Sequence, residues 1–368
     1  MAENIYPYKT KKGIRYKTPY TDDNGKTRWK GGFKRVQDAK DWRAQTITSV
    51  TDGSFTDPQL GKRRIGDLAN VWLEGKRGVL KPKTYATYES SWRTHCAPKW
   101  AHRQIGTLRT SEIQAWVSGI VAAGSSGKTA NKALAALNGV CELAVLDKII
   151  AVNPCKGVRR VRESAKERAY LTVEQLTALA EASGDNKALV LVAGWCGLRF
   201  GELRALRVRD VDVAASKIHV ARSAERVSGR IVVDAPKSKA GVRDVPVPSF
   251  VMCELMGHLV GKMPDDLVFT GNSRGGMIGE PHRSTENWTA RNWFARAIQE
   301  AGVPSITFHD LRHTAASLAV KSGANIKALQ AYLGHEKASM TLDTYADLYP
   351  EDLERITAGQ ERLYKAAN

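Results

Sequence analysis

Cysteine is scarce in this chain and none of it is usefully spaced. Five are present among 368 residues (Cys96, Cys141, Cys155, Cys196 and Cys253), an odd number with no C-x-x-C pair. That excludes a disulfide-stapled scaffold and a thiolate zinc site, and it fits a reducing compartment. Long apolar runs are missing too. The longest, from Ala188 to Leu198, is about half of what a membrane-spanning helix needs. The opening MAENIYPYKTKK carries basic residues with no apolar segment behind them, so no secretory signal is expected. There is no G-x-x-x-x-G-K-S/T phosphate loop, no G-x-S-x-G elbow and no H-E-x-x-H. No carboxylate cluster suggests a two-metal nuclease. Acidic residues are in short supply overall: 38 Asp plus Glu face 56 Lys plus Arg, a net charge of +18.

A positive excess of that size favours a polyanionic partner, because each Lys or Arg that neutralises a phosphate releases a condensed counterion. A basic enzyme with no nucleic-acid role is the plain alternative. With 42% hydrophobic and 26% charged residues, the composition is that of a folded globular protein. The length exceeds one ordinary domain, so two or three cores are expected.

The pattern along the chain predicts a multidomain α+β protein in five stretches. Residues 1–55 form a small module of β-sheet and helix. There Ile14, Tyr16 and Thr18 alternate with Arg15 and Lys17, Asn24-Gly25 supplies a tight turn, and Arg28-Trp29-Lys30 continues the alternation on a second strand. A helix from Val36 to Thr48 follows. Cations on phosphates and rings on sugars or bases would suit a DNA groove; a solvated hairpin whose aromatics pack on the helix is equally compatible. Residues 56–64 read as a linker. Residues 65–153 are all-α: Ile65, Leu68, Ala69, Trp72 and Leu73 make a core-facing stripe. Further helices are expected there at 84–95, at 111–122 capped by Thr110, and at 129–147.

Residues 154–168 form a basic linker. Its Arg159, Arg160 and Arg162 are candidate DNA contacts, together with Arg15, Lys17, Arg28 and Lys30. Residues 169–368 are mainly helical with a small antiparallel sheet, and they end in a tail. Thr172 and Gln175 make a capping box. Strands are expected at 218–221, 230–234 and 242–247, with Lys237–Gly241 as the turn between the last two. Helices are expected at 250–260, 285–301, 310–322 and 326–333.

For chemistry this last stretch offers cations, imidazoles and a phenol. In the run Cys196-Gly197-Leu198-Arg199-Phe200-Gly201-Glu202-Leu203, Arg199 opens a new helix, where orphan amides also favour anions. Glu202, one turn on, is placed to brace its guanidinium. In His309-Asp310-Leu311-Arg312-His313 the i, i+3 spacing turns His309 and Arg312 toward one phosphate. Gly334-His335 follows a short helix, and Tyr345 comes after it on another. Lys237 sits on its turn, from which a long amine reaches into a groove. Singly, each has an ordinary explanation as a surface ion pair, a packing histidine or a core ring. Together they match a need: two arginines grip the oxygens of one phosphodiester, imidazoles and an amine donate to it, and a phenol attacks it. That scheme requires no metal and no cofactor.

The boxes CGLRFGEL, HDLRH and LGH, followed by the Tyr of LDTYADL, resemble those of the tyrosine recombinase family, in particular phage-type integrases, over residues 169–349. Less closely, residues 65–153 resemble the family's core-site DNA-binding domain, and residues 1–55 its arm-type-site DNA-binding module. The resemblance implies a site-specific recombinase that integrates and excises phage or mobile-element DNA through a Holliday junction, in the host cytoplasm. It implies Tyr345 as the nucleophile, forming a 3′-phosphotyrosyl link and freeing a 5′-hydroxyl. Arg199 and Arg312 would hold the phosphate, with Glu202 behind them. Lys237 would protonate the leaving oxygen, with Lys239 on the same turn as its competitor. His309 and His335 would hydrogen-bond the phosphate or relay protons. Tyr332, in an apolar helix, and Tyr349, before Pro350, are the competing tyrosines.

The partners implied are double-stranded DNA at core-type and arm-type sites, further copies of the chain in a homotetramer, a host DNA-bending protein and a directionality factor. No membrane is involved. Two rivals remain at this stage: a type IB topoisomerase-like enzyme working alone, and a DNA-binding regulator that keeps the fold without the chemistry.

Overall fold

A computed structural model describes residues 4–21, 25–51, 59–162, 169–236, 238–271, 276–279, 281, 293–349 and 352–367. The chain divides into two compact units, Met1–Ala165 and Lys166–Asn368.

The first unit opens with an antiparallel sheet of β1 (Tyr6–Thr10), β2 (Gly13–Thr21) and β3 (Thr27–Phe33), in that order, followed by α1 (Val36–Thr51). Trp42 of α1 packs edge-on against Tyr20, with centroids 5.3 Å apart, and lies 5.9 Å from Phe33. One face of the sheet is therefore fixed to the helix by aromatic contacts. Arg15 and Lys17 share one face of β2, as their alternation predicts, but the pairing register sends Arg28 and Lys30 to the other. Tyr20 lies opposite Arg28 and Thr18 opposite Lys30, while Pro19 lies opposite Trp29 and Lys17 opposite Gly31. Residues directly across a ladder share a face. Arg28 and Lys30 thus fall on the side of Thr18 and Tyr20, the side that meets α1. Arg15 and Lys17 share the other side with Trp29, which is 50% exposed and has the Lys17 ammonium 4.9 Å above its ring.

A helical layer follows: α2 (Ile65–Lys76), α3 (Pro82–Ser91), a π-helical turn over Trp92–Cys96, α4 (Ala97–Trp100), α5 (Thr110–Ala122) and α6 (Gly127–Leu146). Its core joins Ile65, Leu68 and Trp72 of α2 to Trp100, Trp116 and the buried face of α6, including Ala133, Leu137 and Val140. Thr110 does not cap α5. It is already helical, and its hydroxyl donates to the carbonyl of Pro154 (2.9 Å). That bond belongs to a wider attachment. The Asn131 amide donates to the Val161 carbonyl (2.9 Å) and accepts from the Val161 N–H (3.0 Å), and the Arg159 N–H donates to Gln114 (2.8 Å). Val158 and Val161 pack on the core. Through residue 162 the expected linker is therefore a strap on the helical layer, with Arg159, Arg160 and Arg162 exposed along it. Residues 163–168 lie outside the described residues.

The second unit begins with α7 (Val173–Ala182), opened by the Thr172–Gln175 capping box. The apolar α8 (Lys187–Cys196) runs through the core and is followed by the short α9 (Phe200–Arg204). Five strands come next: β4 (Val211–Asp212), β5 (Lys217–Val220), β6 (Ser223–Val227), β7 (Arg230–Asp234) and β8 (Arg243–Pro246). They form two sheets, β4-β5-β8 and the hairpin β6-β7. The turn expected between neighbouring strands at Lys237–Gly241 instead links strands of different sheets. A tight turn at Ser228 (φ 47°) and Gly229 (φ 83°), both in the left-handed region, pairs β7 back onto β6. Helices α10 (Ser249–Met256), α11 (Trp293–Glu300), α12 (Asp310–Lys321), α13 (Ile326–Leu333), α14 (Ala338–Tyr345) and α15 (Asp352–Ala367) complete the unit. The first part of the helix expected at 285–301 falls outside the described residues.

Close approach of α2 and α6 depends on Gly139. A Cβ there would lie 2.5 Å from the indole of Trp72, which is 7% exposed and hemmed in by the core. Overpacking of this kind costs about 1–3 kcal/mol. Gly139→Ala is expected to lower the unfolding free energy of the full chain by that amount, read from denaturant titration. An unchanged midpoint would show that Trp72 moves freely.

Candidate active site

The centre is built where the end of α8 meets the end of α13. Gly197 closes α8 in the left-handed conformation (φ 65°), and Arg199 stands just before α9. Its backbone N–H donates to Glu202 Oε2 (2.9 Å) and its guanidinium to Glu202 Oε1 (2.8 Å), the brace that the spacing predicts. Glu202 is 3% exposed and is shared. Arg243, at the start of β8, donates to both of its oxygens (3.3 and 3.1 Å) and sends Nε to the Tyr332 carbonyl (2.8 Å). Burial pushes the Glu202 carboxyl up, but Arg243 and then Arg199 outweigh it, so its pKa lies below the ordinary value and it is ionised.

Arg312, on the first turn of α12, is 3% exposed and has no carboxylate partner among the described residues. Nη1 donates to the Gly197 carbonyl and Nη2 to the Leu333 carbonyl, both at 2.5 Å. Burial first, and then Arg199, brings its pKa down to about 9, still cationic at neutral pH. Gly334 ends α13 with φ 66°, and its carbonyl lies 3.5 Å from Arg199 Nη2. A Cβ on Gly334 would lie 2.8 Å from the Ala240 carbonyl and 3.0 Å from Arg243, so glycine is required both by conformation and by space. Arg312 is thus fastened to the ends of both α8 and α13, while Arg199, held by Glu202, reaches the end of α13 alone.

The imidazoles sit around them. His335 places Nδ1 2.9 Å from Thr341 Oγ1 on α14. Burial, followed by the charges of Arg312, Arg199 and Arg243, lowers its pKa to about 4. His309 keeps a solvent-facing edge, yet desolvation and then Arg312 lower its pKa too. Tyr345 ends α14 at 1% exposure, with its hydroxyl 2.7 Å from Nδ1 of His313. Of the competing tyrosines, Tyr332 donates its hydroxyl to the Trp195 carbonyl, and burial pushes its pKa up. Tyr349 donates to the Ala324 carbonyl (3.2 Å). Lys237 lies outside the described residues; Lys239, on the turn Lys239–Gly241, is exposed. Among the described residues no group of three or more His, Cys, Asp or Glu side chains is placed to hold a metal ion, and no helix is long and apolar enough to cross a membrane.

Residues 169–352, half of the chain, match the model of the phage integrase family, and residues 65–121 match the N-terminal SAM-like domain of phage integrases. The chain belongs to the phage integrase family. A tyrosine recombinase XerC-like protein of Caldanaerobacter subterraneus is 27% identical to this integrase over 358 residues, covering 90% of each chain. Among solved structures, the Tn1549 transposon integrase in complex with a circular intermediate DNA aligns with a TM-score of 0.68 at 21% identity, over 80% of this chain and 99% of that one. A lambda integrase tetramer bound to a Holliday junction aligns at 0.57 and 18% identity, over 92% and 97%. At such identities the structures speak for the fold: a helical domain and a mainly helical one with small antiparallel sheets. The integrase is a tyrosine-type site-specific DNA recombinase, an enzyme that integrates phage or mobile-element DNA.

Sequence reading gave no part to Arg243 or His313. Arg243 opens a short, otherwise unremarkable strand and carries no motif of its own. His313 has a weak signal, since it lies one helical turn beyond His309 and its ring stands edge-on to that ring at 5.1 Å.

Both His309 and His335 are neutral at pH 7 in this arrangement. An unfolded chain protonates each near the ordinary value of 6.5, whereas folded His335 resists until about 4. Between those values the unfolded state binds more protons, so stability falls with falling pH. The unfolding free energy is expected to drop from pH 6.5 to pH 4, and His335→Gln should drop less steeply over the same range. Parallel slopes for the two proteins would contradict the assignment.

Proposed function

We propose that the centre cleaves and rejoins DNA with Tyr345 as the nucleophile. The observation that carries this reading is the meeting of Arg199 and Arg312 at the end of α13, with Tyr345 packed alongside. Arg199 and Arg312 hold the non-bridging oxygens of the scissile phosphodiester and stabilise the charge of its pentacoordinate transition state. Tyr345 Oη attacks phosphorus, and the bond to the 5′-oxygen breaks, leaving a 3′-phosphotyrosyl link. Lys237 supplies the proton to that oxygen, with Lys239 as the alternative. His309 and His335, being neutral, each keep one N–H to offer the phosphate. Glu202 stays ionised and holds Arg199. One phosphoester replaces another, so no nucleotide is consumed.

The helical layer would grip core-type sites, with Arg159, Arg160 and Arg162 displayed along its strap. The N-terminal sheet would bind arm-type sites through the face that carries Arg15, Lys17 and Trp29. Arg28 and Lys30, on the opposite face, contribute to phosphate contacts from its edge. A homotetramer on two duplexes passes through a Holliday junction, as in the lambda complex, with a host DNA-bending protein and a directionality factor as accessory partners. The work is done in the bacterial cytoplasm, on the nucleoid.

Tyr345→Phe removes only a hydroxyl. It is expected to keep DNA binding and to abolish covalent attachment to a nicked duplex spanning the element–chromosome junction, while Tyr332→Phe and Tyr349→Phe retain it. Trapped complex from Tyr345→Phe at the wild-type level would overturn the assignment.

A chain beginning at Gly61 is expected to bind and cleave core-site DNA, with affinity falling steeply as salt rises, and to fail in integration. Normal recombination by that fragment would remove the arm-site role from residues 1–55.

A further inference from the structure

The contact between His313 and Tyr345 has no part in the scheme above. Three observations single it out. The Tyr345 hydroxyl and His313 Nδ1 are 2.7 Å apart, a full-strength hydrogen bond, and the rings lie 5.6 Å apart at 58°. Tyr345 is 1% exposed, so its hydroxyl meets protein groups, not bulk water. His313 immediately follows Arg312, whose guanidinium is anchored to two backbone carbonyls, so the helix that presents His313 is fixed where the phosphate would be held. Nδ1 of His335, by contrast, is already engaged by Thr341 Oγ1.

A phenol is a poor nucleophile at neutral pH, because its ordinary pKa is near 10. It needs a base within hydrogen-bond reach when it attacks. Resting on the reading of Tyr345 as nucleophile, we infer that His313 is the catalytic base that takes the phenolic proton. In the neutral ring the proton sits on Nε2 and Nδ1 accepts from Tyr345 Oη. As Oη forms its bond to phosphorus, its proton passes to Nδ1, giving an imidazolium. The bond from phosphorus to the 5′-oxygen breaks with both electrons, and that oxygen takes a proton from the Lys237 ammonium or its substitute. Rejoining runs the same steps backward: the 5′-hydroxyl attacks, the phosphotyrosyl bond breaks, and the His313 imidazolium returns the proton to Tyr345. His309 and His335 are thereby left free to serve the phosphate alone.

The experiment uses the full-length integrase and the nicked junction-spanning duplex, with single-turnover covalent attachment as the readout. His313→Asn places an amide where Nδ1 stood, so the hydrogen bond to Tyr345 can persist while the basicity is gone. It is expected to bind the duplex as wild type does, to keep the wild-type melting temperature, and to attach at least about 100-fold more slowly, the usual scale of a lost general base. Replacing Tyr345 with a ring-fluorinated tyrosine makes the phenol more acidic. In the His313→Asn background that replacement is expected to recover attachment by about tenfold, because less proton removal is needed. A purely structural role for His313 predicts no such rescue. Attachment by His313→Asn at the wild-type rate, or a slow variant that the fluorinated phenol fails to accelerate, overturns the inference. Covalent attachment by Tyr345→Phe would instead overturn the reading of the nucleophile beneath it, and the two failures are told apart by which variant shows them.

Discussion

Glu202 lies between Arg199 and Arg243 with both oxygens engaged, sealed from solvent at the junction of α9 and β8. Taking a carboxylate out of water costs several kcal/mol, and only close, well-directed cations repay it. Here two do. The arrangement also runs the other way: burial, and then the positive charges of Arg199 and Arg243, depress the charged form of Arg312. Without a buried anion among them the three would spread apart. Arg243 extends the constraint, since the same guanidinium binds the Tyr332 carbonyl and crowds Gly334. One carboxylate therefore couples the start of α9, the start of β8 and the end of α13.

Much of this was legible from residue type and spacing, for reasons that can be named. The stripe of Ile65, Leu68 and Trp72 announces a buried helix face because 3.6 residues make a turn, and those residues are buried together in the helical core. The Thr172–Gln175 box is a local exchange of hydrogen bonds and needs no tertiary information. The Arg199–Glu202 brace is local too, spanning three residues. Arg243 was illegible because its value comes from residues 41 and 89 positions away, which no local pattern reports.

Register shows the same limit. That Arg28 and Lys30 turn toward the helix side of the sheet follows from which residue of β2 each meets, a matter of one position in the connection between strands. Of the hairpin β6-β7 the second strand was legible, but β6 and the Ser228-Gly229 turn were not, since the turn depends on two positive φ angles. In the basic stretch, charge suggested a free tether, whereas the amides of Gln114 and Asn131, reading its backbone, fasten it to the helices.

Arg312 is held by two carbonyls, which supply direction but no charge. Among the described residues, the three clustered guanidiniums have Glu202 as their one carboxylate. The centre therefore carries an excess of positive charge around the buried Arg312, and the packing of the domain sustains it. If the centre takes a phosphodiester as proposed above, that group supplies the missing negative charge as well as being the substrate. Occupancy and stability would then be one equilibrium, because a ligand that binds only the folded chain adds to its stability.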